Sequence, residues 1–403
     1  MDRELEKKLL RNLKLYGPYQ VFTKRVFLPL VAIYASHVAG LNVAQIGYIA
    51  ATTAVASMLL ETPTGFWADR HGRRTSARIG SFLAAVGTLA YILLPSFWGI
   101  LTASLLVAIG YAFLSGSMSA LIHDTLVILG REDDFAKVAS RAQSMSLLIN
   151  AGVMALVPML YPIDERLPFV VGVTAYIVLF YLASLLTEPL AHHNVNLQEK
   201  KFFAALHTMV NRKTLLFFVC AGFMAAITTG PSDLFNLGFI KVHVKPEHIG
   251  LIFAIGSLLA AAIGYGIHYL KRLSFKQYVT LDAFSSALVF LGFGFGFNKY
   301  VVILCWLQNM ALWRFQRIMY QHYLMQIFGS TRYKATLFSI INNISYAHSF
   351  WIVLLLSGIG EKIGVLASLG YGALLLLVFW PLLLLGISKL ETNSNAVSGV
   401  ANQ

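Results

Sequence analysis

Twelve apolar segments of about 20 residues constrain this 403-residue chain more than any other feature. A segment of that length crosses a hydrocarbon core of roughly 30 Å as a helix. Inside a bilayer every backbone N–H and C=O group needs a partner in its own segment, so such spans are helical. Only 12% of the residues are charged and the mean hydropathy is +0.68, whereas a soluble domain has about 25% charged residues. The sequence therefore predicts an all-α integral membrane protein.

The apolar runs predict where each transmembrane helix begins and ends, and we expect the first span to be retained rather than removed as a signal peptide. The predicted limits are 15–38, 43–67, 75–95, 98–123, 140–160, 167–187, 214–239, 247–270, 277–297, 300–327, 335–358 and 364–387. The longest polar connection divides them six and six. We expect an N-terminal half (1–187), a cytoplasmic central loop (188–213) that is either a short amphipathic helix or a flexible linker, and a C-terminal half (214–403).

Basic residues predict the orientation of the spans. Of the 31 lysines and arginines, 22 fall in segments on the side of the two termini and five in segments on the opposite side. Short cytoplasmic loops carry such an excess of positive charge. Both termini are therefore expected in the cytoplasm. The net charge of +13 follows from this topology and requires no nucleic-acid partner.

A polar motif joins the second and third spans. Residues 65–74 follow the pattern Gly-x-x-x-Asp-Arg-x-Gly-Arg-Arg, and residues 266–272 repeat its position and basic charge in degenerate form. This pattern resembles the loop signature of the major facilitator superfamily of membrane transporters. The resemblance implies two pseudo-symmetric six-helix halves with the substrate held between them, and a cytoplasmic gate. The gate residues it implies are Gly65, Asp69, Arg70, Gly72, Arg73 and Arg74, with Asp124 and Arg141 as an extension.

The residues just before that motif resemble one subgroup of the superfamily. Glu61-Thr62-Pro63-Thr64-Gly65 is similar to a bacterial subgroup of the superfamily with Glu-x-Pro-Thr-Gly at this point, which favours export. Proton-coupled drug exporters carry an arginine in the fourth span, but residues 101–120 contain none. They also carry a Gly-Pro pair in the fifth span, where Gly152 and Pro158 are too far apart. These departures put a drug–proton antiporter in doubt.

Four basic residues lie inside spans, namely Lys24, Arg25, Arg314 and Arg317. Placing one at the bilayer centre costs at least roughly 2.5 kcal/mol, so each should face protein or water. Helical spacing predicts one polar stripe of Tyr16, Gln20 and Lys24, and another of Arg314, Arg317 and Gln321. The first and tenth spans belong to different halves. We therefore predict a substrate site formed by Lys24, Arg25, Gln20, Arg314, Arg317 and Gln321.

Other interpretations of these charges remain open. Arg317 would reach the inner surface by snorkelling, and Arg25 would pair with Asp282 or Asp233. Glu61 is either structural or a proton carrier, because a carboxylate deep in a helix can load and unload protons near neutral pH. The acids that we consider for proton coupling are Glu61, Asp124 and Asp233.

These features predict a secondary transporter that moves a small organic anion by alternating access. Guanidinium groups bind carboxylate or phosphate in bidentate fashion, so a carboxylate metabolite or a siderophore fits a basic cavity. We expect export, proton coupling, a monomer in membrane lipid, and neither cofactor nor metal. The alternative is a proton antiporter of drugs or hydrophobic cations. No phosphate-binding loop is present, which argues against primary ATP-driven transport. A receptor or a lipid-modifying enzyme is disfavoured because no extra domain and no nucleophile–base constellation accompanies the spans.

Overall fold

A computed structural model describes residues 3–115, 117–189, 212–264, 272–296, 298–328 and 334–401, and these residues form helices and connecting turns without any strand. Side chains are described throughout them except at 212–214, 263–264, 312–315, 317–318, 321, 324–328, 334–339 and 390–401. The helices are α1 Arg3–Phe22, α2 Val31–His37, α3 Val43–His71, α4 Arg73–Leu93, α5 Phe97–Leu114, α6 Ser117–Ile128, α7 Phe135–Leu156, α8 Leu167–Leu185, α9 Arg212–Thr229, α10 Ser232–Lys241, α11 Pro246–Gly264, α12 Phe275–Phe295, α13 Lys299–Phe328, α14 Lys334–Ile363 and α15 Val365–Ala401.

The predicted membrane architecture agrees with these helices. Within the described residues, nine stretches are long and apolar enough to cross a membrane, and they correspond to the second to seventh, ninth, eleventh and twelfth predicted spans. The eighth span corresponds to a shorter apolar helix, Pro246–Ala262, and the tenth to the 30-residue α13. The fold is therefore that of an all-helical integral membrane protein.

Two parts of the chain on which we made predictions lie outside the described residues. They are most of the central loop (190–211), including its amphipathic segment, and most of the degenerate second copy of the motif (265–271). The amphipathic helix and the second motif therefore stay predictions.

The helices form two compact units. The first comprises Met1–Leu41, Val55–Asn196 and Pro246–Leu251, and the second comprises Asn42–Ala54, Leu197–Lys245 and Ile252–Gln403. Both α3 and α11 thus have their first residues in one unit and the remainder in the other. This division differs from a simple split of the sequence at the central loop.

Glycines allow the helices within each unit to approach closely. In the first unit, a Cβ added at Gly80 of α4 would lie 2.7 Å from the carbonyl oxygen of Gly110 in α5. In the second unit, a Cβ at Gly294 of α12 would lie 2.5 Å from the Cα of Gly370 in α15. Helices in lipid associate through such contacts between small residues, since apolar burial gives no driving force there.

Candidate functional site

The first predicted span is interrupted in its middle. α1 ends at Phe22, a turn follows, and a short 3-10 helix at Leu28–Leu30 leads into α2. Pro29 explains the interruption. In a continuous helix its ring would collide with the carbonyl of Arg25, and it has no N–H group to bond that carbonyl. The prediction of one helix over residues 15–38 is therefore wrong.

Hydrogen bonds from α7 stabilise the end of α1 at this interruption. The last carbonyls of a helix have no partner within the helix. The Thr23 and Ser146 hydroxyls donate to the Gln20 carbonyl at 2.9 and 2.8 Å. The Asn150 amide donates to the Val21 carbonyl at 3.1 Å. Because side chains of a neighbouring helix satisfy these carbonyls, the break is a fixed part of the fold.

We expect Asn150→Leu to destabilise the protein, because the Val21 carbonyl keeps only the longer bond of 3.4 Å from the Lys24 backbone N–H. The expected loss is about 0.5–1.5 kcal/mol in the free energy of unfolding, the net contribution of one hydrogen bond. Denaturant unfolding of the protein in detergent measures this loss. Gln143→Leu, at an exposed position of the same helix, is the matched control. An equal loss in both variants would contradict this role of Asn150.

Lys24 and Arg25 lie in the interruption, and both side chains are half-buried. The Arg25 guanidinium carbon lies 4.3 Å from the centroid of the Tyr111 ring in α5, and Tyr176 of α8 is within electrostatic range. A guanidinium stacked on a ring keeps its N–H donors in its own plane, directed away from the ring. The ion pairs found among the described residues involve neither Lys24 nor Arg25. The two cations therefore leave their positive charge available to a ligand.

The predicted polar stripe along the first span is not formed. Tyr16, Gln20 and Lys24 share one face only if one helix holds all three, but α1 ends at Phe22. Tyr16 is buried, and Gln20 is half-buried in the last turn of α1. Arg25, which we considered as the partner of a carboxylate, has the Tyr111 ring as its described contact instead.

The second predicted polar helix is α13. Its backbone includes Arg314, Arg317 and Gln321, but the side chains of these three residues lie outside the described part of the chain. Their contact with substrate therefore stays a prediction. Gln316 of the same helix is buried, and its side-chain amide donates a hydrogen bond to Asp282 of α12.

The seventh span is interrupted too. α9 ends at Thr229, and α10 begins at Ser232 after the pair Gly230-Pro231. Asp233 lies in the first turn of α10, where the dipole of a helix favours a carboxylate. The first and seventh spans open the two predicted halves. Interrupted spans in corresponding positions of two halves are the best sequence indication of a transporter's binding site.

The motif between α3 and α4 forms an ion-pair network. The Arg73 guanidinium donates to the Asp69 carboxylate at 3.2 and 3.3 Å and also to the Asp124 carboxylate of α6. The side chains of Arg73 and Asp124 are only 12% and 11% exposed. Arg73 thereby joins α3, α4 and α6. These described contacts all lie within the first unit.

Glu188 holds the N-terminus of α4. Its two carboxylate oxygens accept from the backbone N–H groups of Arg73 and Arg74 at 2.8 and 2.7 Å. The first N–H groups of a helix have no partner within it, and its dipole favours an anion there. Gly72 has φ +100°, and a Cβ at this position would lie 3.3 Å from Glu188. The turn therefore requires glycine.

The other predicted residues of the motif region have varied surroundings. Arg70 and Arg141 are exposed, and Glu61 is half-buried in α3 near Pro63. Gly65 has open space around it, since a Cβ there meets no described atom within 4 Å. Gly65 therefore allows a larger neighbour to approach but makes no close contact in this structure.

Several residues of this region were not predicted from the sequence. They are Glu188, Ser146, Asn150, Tyr111 and Asn12, which exchanges hydrogen bonds with the backbone of Thr187 at 2.8 and 2.9 Å. Each acts on a partner distant in sequence, so periodicity gave no signal. Pro29, inside an apparent span, was the one local signal of the helix break.

Comparisons with known proteins agree with this architecture. Among solved structures, the nucleoside transporter NupG is similar with a TM-score of 0.78 at 14% identity, covering 94% of this chain and 99% of that one. The peptide-transporter-family protein PepTSo has a TM-score of 0.72 at 10% identity over 95% and 98%. The D-xylose–proton symporter has a TM-score of 0.64 at 13% identity over 94% and 98%. At these identities the likeness shows a shared fold.

Sequence comparisons identify the family. The uncharacterized MFS-type transporter YxaM of Bacillus subtilis (strain 168) is 23% identical over 253 residues, which is 60% of this chain and 62% of that protein. The match thus spans less than two thirds of the relative's length. The family model that describes the Major Facilitator Superfamily matches residues 20–351. The chain therefore belongs to the Major Facilitator Superfamily.

Proposed function

We propose that this chain is a secondary transporter, not an enzyme, that works by alternating access and carries a small organic anion bound at the interruption of its first span. One observation carries the proposal: Lys24 and Arg25 lie together at a helix break, half-buried, and the described ion pairs do not involve them. An intramembrane cation costs at least roughly 2.5 kcal/mol. A carboxylate or phosphate ligand would offset that cost through charge-assisted hydrogen bonds. Gln20, in the adjoining turn of α1, offers an amide to the same ligand.

The same site extends to α13 in this proposal. Arg314, Arg317 and Gln321 repeat at helical spacing in the tenth span, so they would present one basic stripe. A carboxylate metabolite or a carboxylate siderophore is the class of substrate that suits two basic helices. The similar solved structures include transporters of nucleosides, peptides and D-xylose. Their likeness therefore leaves the substrate to be argued from the charges of this chain.

We also propose export with proton coupling. The Glu-Thr-Pro-Thr-Gly lead at residues 61–65 supports export through its resemblance to the bacterial subgroup. Of the acids considered for the proton, Asp124 is ion-paired with Arg73. Glu61 and Asp233 are half-buried, beside a helix proline and at a helix break. All three stay candidates in this proposal.

The motif would serve as the cytoplasmic gate. Asp69, Arg70, Arg73 and Arg74 follow the superfamily pattern, and Arg73 forms a network that a conformational change can break and remake. The Glu188 cap would keep the start of α4 in place during that change. Gate function predicts that charge changes here alter state populations rather than substrate contacts.

The proposed location is the bacterial inner membrane, as a monomer in lipid with both termini in the cytoplasm. Single cysteines at Arg131 and Ser394 should then react with a membrane-impermeant label only from the cytoplasmic side. A cysteine at Glu361 should react only from outside. Arg131 follows the fourth predicted span, Ser394 the twelfth and Glu361 the eleventh. Reaction of Ser394 and Glu361 from the same side would contradict the predicted number of late spans.

An uptake screen tests the proposed function. The purified protein is placed in liposomes and offered radiolabelled organic anions and cations, with and without a pH gradient. We expect carboxylate anions to be transported, and we expect the pH gradient to drive that transport in one fixed direction. Transport of cationic dyes with no transport of anions would favour the drug antiporter instead.

A further inference from the structure

A carboxyl group is buried in the interior of the second unit. Asp282 of α12 is only 2% exposed. Its Oδ2 atom accepts a hydrogen bond from the side-chain amide of Gln316 in α13 at 2.9 Å. Burying an ionised carboxylate costs far more than burying its neutral acid, unless a cation or several donors compensate it. The surroundings of Asp282 therefore decide which form it takes.

Gln316 can give Asp282 only one neutral donor. The same side-chain nitrogen donates to the Met224 carbonyl of α9 at 2.9 Å. Its oxygen accepts from the Thr228 hydroxyl at 3.3 Å. Both donors and the acceptor of the amide are thus occupied. This network holds the orientation of Gln316 and directs an N–H group, rather than the amide oxygen, toward the carboxyl group.

A second buried group faces the same carboxyl group. The buried Tyr320 hydroxyl of α13 lies beside Asp282, and no other group among the described residues is bonded to it. A protonated Asp282 would donate its O–H to the Tyr320 oxygen. Since buried polar groups are nearly always paired, the proton would complete the network.

The titratable groups around Asp282 carry no positive charge within the described side chains. Those nearby are Tyr278 of α12, Tyr320 and Tyr323 of α13, and Cys220 of α9. His322 of α13 has its ring centroid 5.4 Å from that of Tyr323. The described part of α15, which also packs against α12, has only Tyr371 and Lys389 as titratable side chains, and both are exposed.

We propose that Asp282 is a reversible proton-binding site inside the bilayer. The carboxylate takes one proton from water to form an O–H bond, and it returns that proton to water on release. Burial without a cation among the described side chains favours the loaded form, whereas the Gln316 N–H group favours the carboxylate. A movement of α13 that withdraws Gln316 would therefore shift the site toward the loaded form. The inference rests on the proposed proton coupling, and it assigns the proton to a residue outside the acids Glu61, Asp124 and Asp233.

Infrared spectroscopy of the full-length protein in lipid tests this inference without a substrate. The C=O stretch of a protonated carboxylic acid is recorded in water and in D₂O across a pH series. We expect a band at neutral pH that shifts in D₂O and disappears as the pH rises. Asp282→Asn should remove the band, because asparagine keeps the shape and the acceptor for Gln316 but cannot bind the proton. Asp133→Asn, at an exposed position, is the control and should retain the band.

A second variant keeps the test decisive if Asp282→Asn fails to fold. Tyr320→Phe removes the acceptor of the proposed O–H bond, so the band should move in frequency without being lost. A band that survives in folded Asp282→Asn, or that ignores both pH and D₂O, would overturn the inference. So would a neutral-pH spectrum of the wild type without the band. Anion binding through Lys24 is measured separately, so each of these failures leaves the proposed anion site intact.

Discussion

Lys24→Ala should weaken the binding of a transported organic anion about tenfold or more. A hydrogen bond to a charged group is worth roughly 1.5–3 kcal/mol, and 1.4 kcal/mol corresponds to a factor of ten in affinity. Arg314→Ala should have an effect of similar size if α13 completes the site. Arg314→Lys should restore only part of the affinity, because lysine lacks the planar fork of donors. Isothermal titration with an anion selected by the uptake screen measures these changes.

Lys14→Ala is the matched control for Lys24→Ala. It removes the same charge from the same segment, but Lys14 is exposed on α1 and lies before the helix break. We expect its anion affinity to equal that of the wild type. Normal anion binding in folded Lys24→Ala and Arg314→Ala would refute the anion site. Improved handling of cationic dyes by these variants would favour the drug antiporter.

Asp69→Asn should leave a folded protein but impair transport. Asparagine keeps an oxygen that can accept from Arg73, and Asp124 still neutralises the guanidinium, so the local hydrogen bonds survive. The variant loses a charge that holds one conformation. A change of only about 1.4 kcal/mol between the two states alters their ratio tenfold. The protein should shift toward its inward-open state. We therefore expect a cysteine at Gln20 to be labelled faster from the cytoplasmic side.

Asp124→Asn tests whether the state ratio depends on the motif aspartate itself or on any carboxylate bonded to Arg73. It also removes one negative charge from Arg73, but from the side of α6 rather than from the motif. If the motif aspartate itself sets the state ratio, Asp124→Asn should change the labelling of Gln20→Cys much less than Asp69→Asn does. Unchanged labelling together with normal transport in Asp69→Asn would remove this residue from the gate.

The spans were predictable because hydrophobicity in lipid is a local property of the sequence. Each long apolar run must form a helix, and the motif at Asp69 and Arg73 marks the family because its residues are close together in the chain. Gly72 lies between the second and third predicted spans, where the chain has to turn. Its φ of +100° agrees with a turn at this position.

The break at Lys24 and Arg25 was missed because hydrophobicity averaged over a window cannot register one lost hydrogen bond. Pro29 removes that bond, but prolines are also tolerated inside membrane helices, as Pro63 is in α3. Whether a proline bends or ends a helix depends on what satisfies the freed carbonyls. Here the Arg25 carbonyl accepts from the Leu28 backbone N–H, and the end of α1 is held by Asn150, which lies 129 residues from its acceptor Val21. No local pattern contains that information.

The Glu188 cap and the Asp282 network were missed for the same reason. Glu188 is bonded to residues 114 and 115 positions away, and Gln316 lies 34 positions from Asp282. The sequence suggested Asp282 as a partner of Arg25, and only the packing of α12 on α13 brings it to Gln316. Spacing along one helix predicts its faces, whereas the partner of a face is a property of the fold.

Protection of one cysteine by substrate tests the central claim most directly. Gln20→Cys is introduced after Cys220 and Cys305, the two native cysteines, are replaced by serine and alanine, and its alkylation rate is measured with and without a transported anion. An anion held at Lys24 and Arg25 should slow alkylation in a saturable way, and Lys24→Ala should abolish that protection while a cationic solute gives none. Equal alkylation rates with and without saturating anion, in a protein that still transports it, would show that the anion does not bind at the break in the first span.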